Sequence, residues 1–233
     1  MWRRQAEGRT FTFHLAGINN QNFIMRDEET GSYWQQVTGT AIAGPLRGAR
    51  LERVSMDELS FALWKQESPN GTVLAPVANY ARHYEKKDWE SEMAKARTVV
   101  DVAGTGLPAR EIVIGISLAG NDRAYPLEKI IQQSPVQDRM GSVPLLLLAG
   151  PDGKSVRAFV SRIPAQSAAA EFFRTSAANA AELMDSVSGS RWNFQGCAIS
   201  GPEEGKCLEP VSYLKDYWFD WHNYHPATTV YSR

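Results

Sequence analysis

Two stretches of this chain repeat one another at fixed offsets. The first starts at Asp27 and reads DEETGSYWQQVTGTAIAGP, then LRGARLERVSMDELSFALWKQESPNGTVL. The second starts at Asp185 and reads DSVSGSRWNFQGCAISGP, then EEGKCLEPVSYLKDYWFDWHNYHPATTVY. Seven positions separate Asp27 from Trp34 and Asp185 from Trp192; six separate Gly39 from Pro45 and Gly196 from Pro202. Nineteen separate Pro45 from Trp64 and Pro202 from Trp221, and Pro69 and Pro226 follow five later. One deletion between Trp192 and Gly196 is the only slip. Tryptophan and proline are rare, so agreement at this many offsets reads as a duplication. Two copies are too few for a solenoid, which needs at least about three units to bury a shared face. The expected architecture is therefore an α+β, β-rich fold of two tandem lobes related by an approximate pseudo-twofold. Residues 1–78 would hold the latter half of a first repeat, 79–108 a charged linker, and 109–233 an apparently complete second repeat.

Within each copy, Thr30-Gly31-Ser32 and Ser188-Gly189-Ser190 read as turns ahead of an extended segment carrying the tryptophan. The Ala-Ile-x-Gly-Pro stretch reads as a short strand closed by a breaker pair, with a second strand after it. In the first copy Ser55 and Glu58 form a capping-box signature ahead of a helix. In the second, Leu214, Tyr217, Trp218 and Trp221 fall on one helical face. The matched pairs Phe61/Trp218 and Trp64/Trp221 read as core anchors. Residues 111–120 predict a strand, 123–126 re-enter one, and Leu127, Ile130 and Ile131 suggest a short helix. Residues 143–149 and 156–160 predict a hairpin about Pro151-Asp152-Gly153. Residues 167–184 are alanine-rich and helical by propensity, yet the repeat aligns them with the extended 11–26; the repeat takes precedence.

The charge balance narrows the function classes. A formal net charge of −1 across 233 residues supplies neither the basic field of a nucleic-acid binder nor a polybasic membrane patch. The longest apolar run, 143–149, is too short to span a bilayer and is interrupted by Pro144. Nothing at the N-terminus reads as a signal peptide, which leaves the compartment open: cytoplasmic by default, extracytoplasmic if a leader has been removed. The oligomeric state is equally open. No motif calls for a cofactor. Of the four histidines, His14, His83, His222 and His225, only the last two lie close together, and no third ligand stands at metal-binding spacing.

Arg123-Ala124-Tyr125-Pro126, the D-x-x-[ST]-G-S-x-W pattern, AI-x-GP and W-x-x-x-x-P together resemble the bacterial and archaeal domain-of-unknown-function 3179 family across nearly the whole chain. The resemblance implies a first copy that lacks its own RAYP-like front half. Members of that family often carry a cysteine motif in the strand ahead of the first module, and some are thought to use selenocysteine there. Here the corresponding strand, Leu145-Leu-Leu-Leu-Ala-Gly-Pro-Asp152, has no cysteine.

The polar residues present in both copies are Asp27/Asp185 and Ser32/Ser190. Beside a glycine turn they read first as turn chemistry. The functional alternative is a pocket in which they converge with Arg123 and Tyr125, with Arg123 pairing to Asp185. Cys197 and Cys207 flank a hairpin centred on Pro202 and fall opposite one another, close enough for a disulfide. Three functional readings follow. The first is a soluble binding or structural module with a pocket between the lobes, open to a small molecule. The second is an enzyme using the carboxylate, Arg123 and Tyr125. The third is the thiol-redox protein of the resemblance, weakened by the missing cysteine.

Overall fold

The structure is a computed structural model and describes residues 1–84, 88–164, 169–175 and 182–232. The fold is β-rich, with short helices between small sheets. A two-stranded ribbon, β1 (Gln5–Ala6) and β2 (Arg9–Thr10), leads into an antiparallel sheet of β3 (Phe13–Asn19), β4 (Asn22–Asp27), β5 (Tyr33–Gln35) and β6 (Thr40–Ala43) in sequential order. The β3–β4 turn is two residues long, and Asn20 and Gln21 both take positive φ, the arrangement that matches the right-handed twist of a hairpin. This sheet closes over a small core of Phe11, Trp34, Ala41 and Leu51.

From residue 55 the chain leaves this sheet and straps across the later part of the molecule. Ser55 Oγ lies 2.6 Å from Ser212 Oγ, Ser60 N donates to Ser155 Oγ, and Leu63 of α1 (Phe61–Glu67) is buried among Leu146, Leu148, Phe159 and Phe194. The Arg157 guanidinium fixes the strap. It reaches Asp57 and, in a bidentate pair, Glu67, while lying 4.6 Å over the Phe194 ring. The helix N-cap is Ser60, which accepts from Leu63 N, and not Ser55 as the capping-box pattern suggested. The anchor expectation also fails for this helix. Phe61 is 61% exposed and stacks on a half-buried Trp64, because α1 turns only its Leu63 face to the protein. Residues 79–108 carry a 3-10 turn (Ala78–His83) and α2 (Trp89–Lys95).

The second part begins with β7 (Ile112–Leu118) and β8 (Asn121–Pro126), then α3 (Leu127–Gln133), β9 (Val136–Met140), β10 (Val143–Ala149) and β11 (Val156–Val160). β10 is central to a three-stranded sheet and feeds two cores by simple alternation. Leu145 and Leu147 face Ile114, Tyr125 and Ile130, whereas Leu146 and Leu148 face Phe159, Phe172 and Trp192. That is why its sequence is apolar without a break. A second sequential sheet follows: β12 (Phe172–Arg174), β13 (Leu183–Asp185), β14 (Arg191–Trp192) and β15 (Ala198–Ser200). Within 167–184, residues 172–174 and 183–185 are strands, not helix; 167, 168 and 176–181 lie outside the described residues.

The C-terminal helix is shorter than the 3.6-residue pattern suggested. Leu214–Tyr217 form β16, which pairs with the free edge of β7, and only Trp218–Tyr224 form α4. A hydrogen-bonding edge outcompetes helix periodicity here, since it satisfies four residues of backbone at once. α4 buries Trp218, Phe219 and Trp221 on β7, where a Cβ at Gly115 would fall 2.2 Å from the Trp221 ring. β17 (Thr229–Val230) then adds to β8 in parallel.

Candidate functional site

The polar residues shared by both copies are committed to holding their own turns. The buried Trp34 indole donates to Asp27 Oδ2 at 2.7 Å, and Trp192 to Asp185 Oδ2 at 2.9 Å. Thr30 and Ser188 complete each turn through their own hydroxyls. Ser32 Oγ accepts from Leu46 N, and Ser190 Oγ from Glu203 N. Gly44 and Gly201 explain the AI-x-GP motif. Each has positive φ, and a Cβ there would come within 2.7 and 2.8 Å of the Ser32 and Ser190 Cα atoms. Burial opposes ionisation of both aspartates, but the hydrogen bonds from the indole and the turn outweigh it and hold each carboxyl below its ordinary value.

Arg123 and Tyr125 do not join them. Arg123 Nη1 lies 2.6 Å from Asp138 Oδ2, and Tyr125 OH donates to the same oxygen at 2.9 Å. Asp138 was not singled out in the sequence, since it follows RAYP by a dozen residues in an unremarkable strand. It borders a hollow of about 460 Å³ with Gln137, Ser161 and Glu171. Burial, then Asp138, push the Tyr125 phenol far up. Burial works to raise Asp138, but Arg123 and backbone bonds win and hold it down.

A different set of side chains converges on a cleft of about 480 Å³ where the first sheet faces β7, β16 and α4. The first sheet and its flanks contribute Trp2, Thr38, Thr40, Ile42, Arg50 and Arg53. The other wall is Ser117, Leu214, Tyr224 and His225. His225 is held on two sides. Its ring stacks on Trp221 with centroids 3.9 Å apart, and Nδ1 sits 3.1 Å from Asp122 Oδ2. Asp122 is itself held by the Ser117 hydroxyl. The Asp122 carboxylate at Nδ1 fixes the orientation of the ring. On the opposite wall the Trp2 indole donates to Gln36 O at 2.6 Å, and the Arg53 guanidinium lies 5.7 Å over its ring.

The family model for a protein of unknown function, DUF3179, matches residues 1–228. The chain belongs to that family. No curated protein and no solved structure matches it. In this DUF3179 member the β10 strand and the turn after it carry no cysteine, and Cys197 and Cys207 are joined in a disulfide with Cα atoms 3.9 Å apart. No free thiol remains in the chain. No helix among the described residues is long and apolar enough to cross a membrane.

The wall behind the cleft contains a second feature that the sequence did not reveal. The β3–β4 turn docks on α4, where Asn22 Nδ2 donates to Asp220 Oδ2 at 2.8 Å. Asp220 is 6% exposed and lies beside Asp216, and among the described residues no basic group forms a salt bridge with either. Burial first and mutual repulsion second raise Asp216, and burial raises Asp220. The two carboxylates therefore share a proton near neutral pH. Asp216 and Asp220 stand four apart, one on each side of the strand-to-helix junction at Trp218.

Proposed function

We propose that this chain is a binding module whose ligand occupies the cleft between the two parts of a tandem repeat. In this reading, 1–78 and 109–233 descend from one duplicated unit related by an approximate twofold, joined by 79–108. Supporting the duplication, both sheets run in sequential strand order with the same Asp–Trp bond. The observation that carries the functional reading is His225. Asp122 and Trp221 fix its orientation, and Nε2 has no hydrogen-bond partner among the described residues, at a cleft lined from both sides. The cleft volume falls within the roughly 300–1,000 Å³ of small-molecule sites, which favour such junctions.

The enzyme reading through Arg123, Tyr125 and a carboxylate is less well supported. Asp138 is driven down and Tyr125 up, so neither exchanges a proton near neutral pH, as acid–base catalysis requires. The redox reading lacks a thiol.

A fragment screen followed by amide chemical shifts tests the proposal. Hits should perturb Thr38, Thr40, Leu214 and Tyr224, and Thr40→Trp should abolish them by filling the cleft. Hits that cluster elsewhere, or that survive Thr40→Trp, would refute it.

A further inference from the structure

We propose that the cleft ligand is a small organic oxyanion, a carboxylate or a phosphate, whose charged group is held between the guanidinium groups of Arg50 and Arg53. The inference rests on the cleft being the ligand site and adds what that ligand must carry.

Four arginines elsewhere, Arg3, Arg123, Arg157 and Arg191, are held by acids, while others, the partly buried Arg110 among them, have no salt bridge among the described residues. Arg53 is partly buried and Arg50 is exposed, and no acidic side chain among the described residues reaches either. Burial lowers the Arg53 proton affinity with no opposing charge to restore it. The adjacent acid, Glu52, is already engaged with Arg3, and the acid at the opposite wall of the cleft, Asp122, with His225. A guanidinium kept out of water without a counter-ion is costly. An oxyanion supplies the missing partner, and the planar fork of arginine matches carboxylate and phosphate oxygens in pairs.

The second sheet shows that the backbone does not need these cations. Thr40 bridges Arg50, and at the matching place Cys197 bridges Cys207. Trp2 bridges Arg53, and Phe159 bridges Pro210. Gly39 packs under the Trp2 ring as Gly196 packs under Phe159. The same frame is thus built once with a disulfide and a proline, and once with two arginines facing a cleft. The remaining lining is mixed: Trp2, Val37, Ile42 and Leu214 offer apolar surface, and Thr38, Thr40 and Ser117 offer hydroxyls, so the anion carries a compact body with both apolar and polar faces.

The test is titration of the full chain with benzoate, phenyl phosphate and the neutral benzamide, followed by amide shifts at the cleft. One or both anions should bind, benzamide at least about tenfold more weakly, a gap the size of one charged hydrogen-bonded contact. Benzoate against phenyl phosphate decides which headgroup is preferred. Arg53→Gln and Arg50→Gln should each cost the anion about tenfold and leave benzamide unchanged, with Arg53→Lys in between. If a glutamine variant does not fold, ionic strength serves on the unaltered chain: added salt should weaken the anion and spare benzamide. Benzamide binding as well as the anions, or glutamine variants that keep full anion affinity, would overturn the oxyanion proposal while leaving the cleft as a site. No cleft shifts with any probe would overturn both.

Discussion

The two four-stranded sheets are built from the same local instructions and put to different use. In each, an aspartate accepts from a buried tryptophan seven residues on, a serine anchors the next turn, and a left-handed glycine presses on that serine. They part company at the bridging pair beyond the fourth strand. The second sheet is closed by Cys197–Cys207 and shares a broad core with β10 and β11. The first has Thr40 and Arg50 in those places, a four-residue core of its own, and a cleft at its edge. The helices that follow diverge as well. β16 pairs with β7 before α4, and three aromatic side chains are buried; residues 57–60 before α1 form no strand, and Phe61 stays in water. The Asp–Ser–Trp–Gly frame therefore tolerates wide change at the bridge positions, which is where the first sheet borders a cleft.

The comparison breaks most readily at the tryptophans. Trp34→Ala and Trp192→Ala should each cost about 3–5 kcal/mol, since both indoles are buried and each leaves a large cavity and an orphaned aspartate. Urea titration measures this, and a cost below about 1 kcal/mol in either sheet would show that the two frames are not equivalent. Reduction of Cys197–Cys207 should cost less, about 2–3 kcal/mol for a loop with a separation of 10 residues. It should lower the melting temperature without moving cleft resonances; coupled shifts at Thr40 or His225 would show that the disulfide serves the cleft after all.

The smallest effect separates the junction from the sheets. Asp216 and Asp220 have raised folded pKa values, so the stability they contribute as a protonated pair is complete below the unfolded value of about 4. It is lost as pH rises through about 8 for Asp216. Asp27 and Asp185 are depressed and behave oppositely, contributing above that unfolded value and losing it only in acid. From about pH 5 to 9 the chain should thus lose stability, and Asp216→Asn should flatten the profile. A profile already flat in the unaltered chain would remove the shared proton from the account of how the β3–β4 turn docks.

Some of this was legible in the residues themselves. Many features that depend on neighbours within about ten positions were determined by the sequence: the turns at Gly31 and Gly189, the strands carrying Trp34 and Trp192, the β10–β11 hairpin, the facing cysteines. Backbone sterics and side-chain-to-turn hydrogen bonds act at that range and need no tertiary context. Family membership followed from the same short motifs. What only the tertiary structure decided were competitions between distant groups. The periodicity of Leu214 to Trp221 is helical, but the open edge of β7 captured half of it as β16. Trp64 matches Trp221 in spacing, but only Trp221 found a glycine-faced strand to cover it. Arg123 took Asp138 in place of Asp185, because the fold brings β9 of the neighbouring sheet within reach of β8 while Asp185 was already engaged by its own turn and indole. The cleft joins Arg50, Arg53 and His225 across more than 170 residues of chain. No local preference encodes such a meeting; it exists only where two packed surfaces leave a gap.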